Sequence, residues 1–155
     1  MALAEQITAE FPSAQVTESS YGETLVKVAP EDYKKFCRYV KEGLGFSYPS
    51  DLTGTDRTDC LEVVLHLFKM EPNGPRLTVK VQVDRQNPKV ESVTDLWPGV
   101  DWHERETMDM FGIDFEGHPD LRRILLPENW QGGHPLLKDF EDKRPERPRL
   151  VRGDR

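Results

Sequence analysis

The chain has 155 residues, 32% of them charged, and a formal net charge of −7, with a mean hydropathy of −0.67. That length suits one domain with a proper core. No apolar run approaches the roughly 18 residues needed to cross a bilayer, and the acidic body argues against nucleic acid as a partner. The start, Met1 to Ile7, lacks the basic segment and long apolar stretch of a signal peptide. Work at a membrane would therefore require another chain to hold this one there. The charge is uneven: Lys143 to Arg155 carries six basic and two acidic residues, +4, against −11 for the rest.

In chain order, Leu3, Ile7 and Phe11 have helical spacing that stops at Pro12. Gln15 to Glu18 and Thr24 to Val28 flank Ser19-Ser20-Tyr21-Gly22 and read as a hairpin. Pro30, Glu31 and Asp32 then open a helix that Gly43 and Gly45 close. Its residues Tyr33, Phe36, Cys37, Val40 and Leu44 form one stripe that packs on a sheet. Phe46 to Leu52 predicts a short strand interrupted by Pro49, followed by a polar turn from Thr53 to Asp59. Cys60 to Met70 is the most apolar run, apolar on both faces, and predicts a central strand covered on both sides. Arg76 to Asp84 alternates, with Leu77, Val79, Val81 and Val83 inward. Ser92 to Trp97 has the length of a short helix, which Pro98-Gly99 separates from a charged helix beginning near Val100. These elements predict an α+β domain over residues 1–116, with helices against a small, largely antiparallel sheet. Residues 117–155 are aperiodic and spaced by prolines, which predicts an extended interaction arm that becomes ordered on another protein.

The charged helix is the informative stretch: Glu104-Arg105-Glu106-Thr107-Met108-Asp109-Met110-Phe111-Gly112. Helical geometry sets Glu104 among Val100, Thr107, Met108 and Phe111, with Trp102, Arg105 and Asp109 on the opposite face. A carboxylate in an apolar stripe needs a partner, and Arg122 and Arg123, returning after Gly117-His118-Pro119, are the candidates. Asp101 to Glu104 also has capping-box spacing, with Asp101 as the cap. An acid/base site on Glu104 and Glu106 is disfavoured, because neighbouring positions on a helix diverge by about 100° per residue. The histidines His66, His103, His118 and His134 share no metal-ligand spacing. Cys37 and Cys60 read as reduced thiols, with a disulfide as the alternative, and cannot by themselves hold an iron–sulfur cluster. No phosphate loop or nucleophile elbow is present. Trp97, Trp102 and Trp130 suit either core positions or an anchor surface for another protein.

The segment Glu104 to Gly112, then His118 six residues on, then Pro119-Asp120-Leu121-Arg122-Arg123-Ile124-Leu125-Leu126-Pro127, resembles the signature of the 30-kilodalton-type (C) subunit family of respiratory complex I. The resemblance is dense over residues 97–140. It implies a cofactor-free, non-catalytic structural and assembly subunit in the hydrophilic arm of proton-translocating NADH:quinone oxidoreductase. It implies docking on the hydrogenase-like large subunit of the quinone site, near the small subunit that bears the terminal cluster. The placement implied is peripheral, on the cytoplasmic side of the cell membrane. Glu104, Arg105, Glu106, Asp109, His118, Arg122 and Arg123 are the signature and interface residues so implied, with no catalytic, cofactor or metal residue. One departure is that Leu137 stands where the family often has Arg, and Glu141 where it often has Pro. The alternatives are the equivalent subunit of a membrane-bound hydrogenase or other donor-dependent relative, and, from another class, a free-standing soluble acid/base enzyme.

Overall fold

The computed structural model describes residues 2–143. A five-stranded sheet runs in the order β1 (Gln15–Glu18), β2 (Glu23–Val28), β5 (Arg76–Asp84), β4 (Cys60–Phe68), β3 (Tyr48–Asp56). Only β2 and β5 pair in parallel, after the chain has crossed through α2 (Tyr33–Glu42) and the β3–β4 hairpin. The other three pairings are antiparallel, so the α+β class and largely antiparallel sheet read from the sequence are what the chain forms. A second, two-stranded parallel sheet joins β6 (Lys89–Glu91) to β7 (Asp114–Glu116). The sequence reading ends the sheet at Asn87-Pro88 and lacks this pair, since three residues are too short for periodicity to mark.

The helix α1 spans Leu3–Glu10. Three α2 residues expected inward, Tyr33, Phe36 and Val40, are fully buried with Cys37, each large apolar side chain contributing about 1.5–3 kcal/mol. They share one core with Ile7 of α1, with Val26, Leu65 and Val79 of the sheet, and with Phe111 of α3 (Asp101–Phe111). All three helices thus bury residues against the same face of the sheet. The strand β4 is central, as expected, but helices cover only one of its faces. Leu61, Val63, Leu65 and Leu67 enter the core, while alternate positions meet polar side chains of the sheet and of the β3–β4 turn. His66 Nδ1 lies 2.8 Å from Thr78 Oγ1, and Glu62 accepts two bonds from Arg57. Glu62 and Val64 are buried on that face too, at 4% and 8% exposure, but among neighbouring side chains of the sheet and its turn and not beneath a helix.

The strand β3 is longer than expected, running through the predicted polar turn to Asp56. It is an edge strand, and the register shift between Pro49 and Asp51 accommodates the proline. Its inward positions are Leu52, Gly54 and Asp56, all buried. Gly54 is required by contact: a Cβ there would lie 2.6 Å from Cδ2 of Phe111. Gly54→Ala is therefore expected to cost about 1–3 kcal/mol through overpacking, measured by denaturant unfolding. A loss of stability below a few tenths would show that α3 adjusts freely on β3.

Residues 92–97 do not form the expected helix. They make a turn in which Leu96 and Trp97 N–H donate to Val93 O, and Trp97 itself is core. Beyond Glu116 there is no further regular element among the described residues, yet much of the arm lies on its own domain. Leu121 and Leu137 pack against the core, Leu136 N–H donates to Met110 O at 3.1 Å, and Lys138 N–H to Asp56 at 2.8 Å. The basic tail lies outside the described residues apart from Lys143.

Candidate functional site

Three signature residues, Arg105, Asp109 and His118, meet where α3 faces the arm. A 3-10 turn at Pro98–Val100 leads into the helix, and the N-cap is Val100 with no side-chain cap bond, so the predicted Asp101 capping box does not form. Gly112 ends the helix in the left-handed conformation at φ 77°, where glycine carries no Cβ penalty. The same residue leaves room for the His134 ring, which a Cβ would approach to 2.6 Å. His134 Nδ1 is 2.9 Å from Asp109 O, so that nitrogen donates to the carbonyl. With Leu136 N–H on Met110 O, the arm satisfies carbonyls that the helix end leaves unpaired.

Glu104 is fully buried, as its apolar stripe demands, but its partners are not the expected arginines. Its Oε2 accepts the Ser92 hydroxyl at 2.6 Å and its Oε1 accepts Val93 N–H at 2.9 Å. Arg122 is exposed and bonded to Asp120 at 2.9 Å; Arg123 sits 3.9 Å from Asp109. Helical spacing located the buried carboxylate, but the donors come from a turn twelve residues upstream whose conformation no periodicity marks. Burial pushes the Glu104 carboxyl up to about 7, an effect that the Ser92 and Val93 donors only partly offset.

Asp109 and Arg105 lie on the face expected to be opposite, and both are buried under the arm while Trp102 is 64% exposed. Asp109 Oδ2 accepts three consecutive backbone N–H groups, those of Ile124, Leu125 and Leu126, at 3.0, 2.9 and 3.0 Å. Arg105 Nε donates to Arg122 O at 3.1 Å, and its guanidinium stacks over Trp102 at 5.0 Å. The His118 side chain is fully enclosed, 4.0 Å from Glu104 Oε2 and 3.9 Å from Asp101 Oδ2. Its Nδ1 accepts Asp120 N–H at 3.0 Å, which fixes the ring proton on Nε2 in the neutral form. Arg105, Asp109 and His118 thus fasten residues 118–126 along α3. Glu106 is exposed and the Arg122 side chain stays outside the clasp.

A second fastening was not legible in advance. Asp56, at the end of β3, accepts from Thr58 N–H, Lys138 N–H and Arg85, and Arg85 reaches on to Asp139 at 2.7 Å. Burial alone would raise this carboxyl, but Arg85 and the two backbone donors more than offset it and hold it down to about 2. An aspartate in a Thr-Gly-Thr-Asp run looks like turn chemistry; only the return of the arm from 82 residues away reveals its role.

The arrangement favours fixation over chemistry. Glu104 faces the core and Glu106 solvent, so they do not converge on one atom. Among the described residues, no group of three His, Cys, Asp or Glu is placed to hold a metal ion, and Cys37 and Cys60 are both free thiols.

Residues 26–146 match the family described as the respiratory-chain NADH dehydrogenase 30 kDa subunit. The C subunit of NADH-quinone oxidoreductase from Roseiflexus sp. (strain RS-1) is 45% identical over 141 residues, covering 87% of this chain and 80% of the relative. The protein of the same description from Moorella thermoacetica is 42% identical, covering 84% and 87%. Among solved structures, the trypsin-resistant fragment (1-134) of Nqo5 superposes with a TM-score of 0.67 at 32% identity, over 76% of this chain and 98% of the fragment. A chain of the membrane-bound sulfane sulfur reductase, an archaeal respiratory membrane complex, superposes with a TM-score of 0.78 at 26% identity, over 88% and 82%.

Proposed function

Because the chain belongs to the respiratory-chain NADH dehydrogenase 30 kDa subunit family, we propose that it is a cofactor-free, non-catalytic assembly subunit of proton-translocating NADH:quinone oxidoreductase. It is one member of a multi-subunit respiratory complex, and the other members are its partners. The finer reading is that it sits in the hydrophilic arm, docked on the hydrogenase-like large subunit and beside the cluster-bearing small subunit. No helix among the described residues is long and apolar enough to cross a membrane, and attachment at the cytoplasmic side then comes through those neighbours.

The observation that carries this reading is the use of the signature side chains. Arg105, Asp109 and His118 hold the arm to α3, which leaves an outward rib of Trp102, Glu106, Arg122 and Leu125. Trp102 and Leu125 are 64% and 57% exposed, and the guanidinium of Arg105 steadies the indole. An aromatic anchor on a rigid base, rimmed by charge, suits the centre of a protein interface. The double variant Trp102→Ala, Leu125→Asp should leave the free chain's unfolding within about 1 kcal/mol of the parent. It should abolish co-purification with the large subunit. Undiminished assembly would move the docking face elsewhere.

The likeness to the sulfane sulfur reductase chain favours a second reading, the equivalent subunit of a donor-dependent relative. NADH oxidation by the complex purified through this chain separates the two.

A further inference from the structure

We propose that Glu104 is a reversible proton-binding site inside the domain, reached from the surface through the hydroxyls of Thr94 and Ser92. The geometry is a short chain of exchangeable groups. Thr94 Oγ1 lies 2.8 Å from Ser92 Oγ, either atom able to donate, and Ser92 Oγ lies 2.6 Å from Glu104 Oε2. Exposure falls along it from 9% at Thr94 to 1% at Ser92 and 0% at Glu104.

The chain of hydroxyls satisfies both states of the carboxyl. With Glu104 ionised, Thr94 donates to Ser92 and Ser92 to the carboxylate. Ser92 also accepts Thr94 N–H at 3.2 Å, so its one proton and two lone pairs are all used. On proton uptake the Ser92 proton passes to Glu104, the Thr94 proton passes to Ser92, and water outside supplies Thr94. Afterwards Glu104 donates to Ser92 and Ser92 to Thr94, with Val93 N–H still held by Oε1. Neither state leaves a buried group unpaired, whereas a carboxylate fixed in one state needs no reversible partner.

Among the described residues, none puts a fixed positive charge in contact with the carboxylate. From α2, Lys34 faces Glu104 at a distance but pairs with Asp95 at 3.2 Å. Tyr33 and Cys37 stay neutral, their pKa values raised by burial. On its own helix Asp101 adds a like charge. From the arm, the His118 ring approaches to 4.0 Å, and the Nε2 proton also faces Asp101 O at 3.4 Å. Through that ring the charge on Glu104 is presented to the loop that Asp120 N–H anchors.

Infrared difference spectra of the full chain, taken from pH 5 to 9, test the proposal. One buried carboxylic acid carbonyl band should disappear with a midpoint at about 7, and should be missing in Glu104→Gln. Ser92→Ala removes a donor to the carboxylate and should move the midpoint up by roughly one unit or more. The absence of any such band above pH 6, or its persistence in Glu104→Gln, would overturn the proposal. So would an unmoved midpoint in Ser92→Ala, which decides the matter should Glu104→Gln fail to fold. The titration is read on the isolated chain and is independent of assembly.

Discussion

Asp109→Ala should lower the stability of the isolated chain by about 3–5 kcal/mol, because three backbone donors of the arm lose the one acceptor they share. The carboxylate accepts three successive N–H groups of the arm, and alanine offers nothing in its place. Leaving several backbone donors unpaired costs about 1–3 kcal/mol each if they stay buried. The arm would instead peel away, which caps the loss and exposes Leu121 and Leu126. Asp109→Asn separates charge from shape. One amide oxygen can still accept, but the charge assistance is lost and the NH2 group cannot accept at all. Its loss should be smaller than that of alanine but above about 1 kcal/mol. Denaturant unfolding of both variants measures this, and equal, negligible losses would mean that the three contacts are incidental.

The second large effect is a stability that falls as pH rises. The folded-state pKa of Glu104 is raised from 4.5 to about 7, so the folded chain holds more protons than the unfolded chain between those values. By linkage, stability is then highest below about 4.5, declines through the window and levels off above about 7. A difference of that size corresponds to about 3 kcal/mol. Asp56 has the opposite sign. Its pKa is lowered from 3.8 to about 2, so its contribution is present above 3.8 and is lost as pH falls through about 2. Glu104→Gln can accept Val93 N–H and donate to Ser92, imitating the protonated acid. It should flatten the decline between pH 5 and 8 while remaining as stable as the parent at pH 5. Unfolding free energies measured across that range check this; a parallel decline in the variant would assign the pH dependence to other groups. A loss in Glu104→Gln that depends on Arg122 or Arg123 is not expected, since neither arginine reaches the carboxylate.

The elements with strong periodicity were legible in the sequence. The stripe from Tyr33 to Val40 and the alternation of Leu77 to Val83 are both imposed by repeated burial of one face. What was not legible depends on residues far apart in the chain. Thr53 to Asp56 reads as turn because its inward side chains are Gly54 and Asp56, which make sense only once Phe111 and Lys138 are in place. Arg105 and Asp109 were placed on an outward face because periodicity cannot see an arm folding back over it. Three of the signature side chains, Arg105, Asp109 and His118, are the ones that hold the arm to α3. His118 and the run to Leu126 are the strap, and Arg105 and Asp109 are what the strap is tied to.

That the signature fastens the chain to itself and thereby builds a docking rib is tested most directly by hydrogen exchange on the isolated, partner-free protein. The amides of Ile124, Leu125 and Leu126 should exchange slowly in the parent chain and rapidly in Asp109→Ala. Rapid exchange of these three amides in the parent chain would contradict the account, because the strap would then be formed only by the neighbouring subunit.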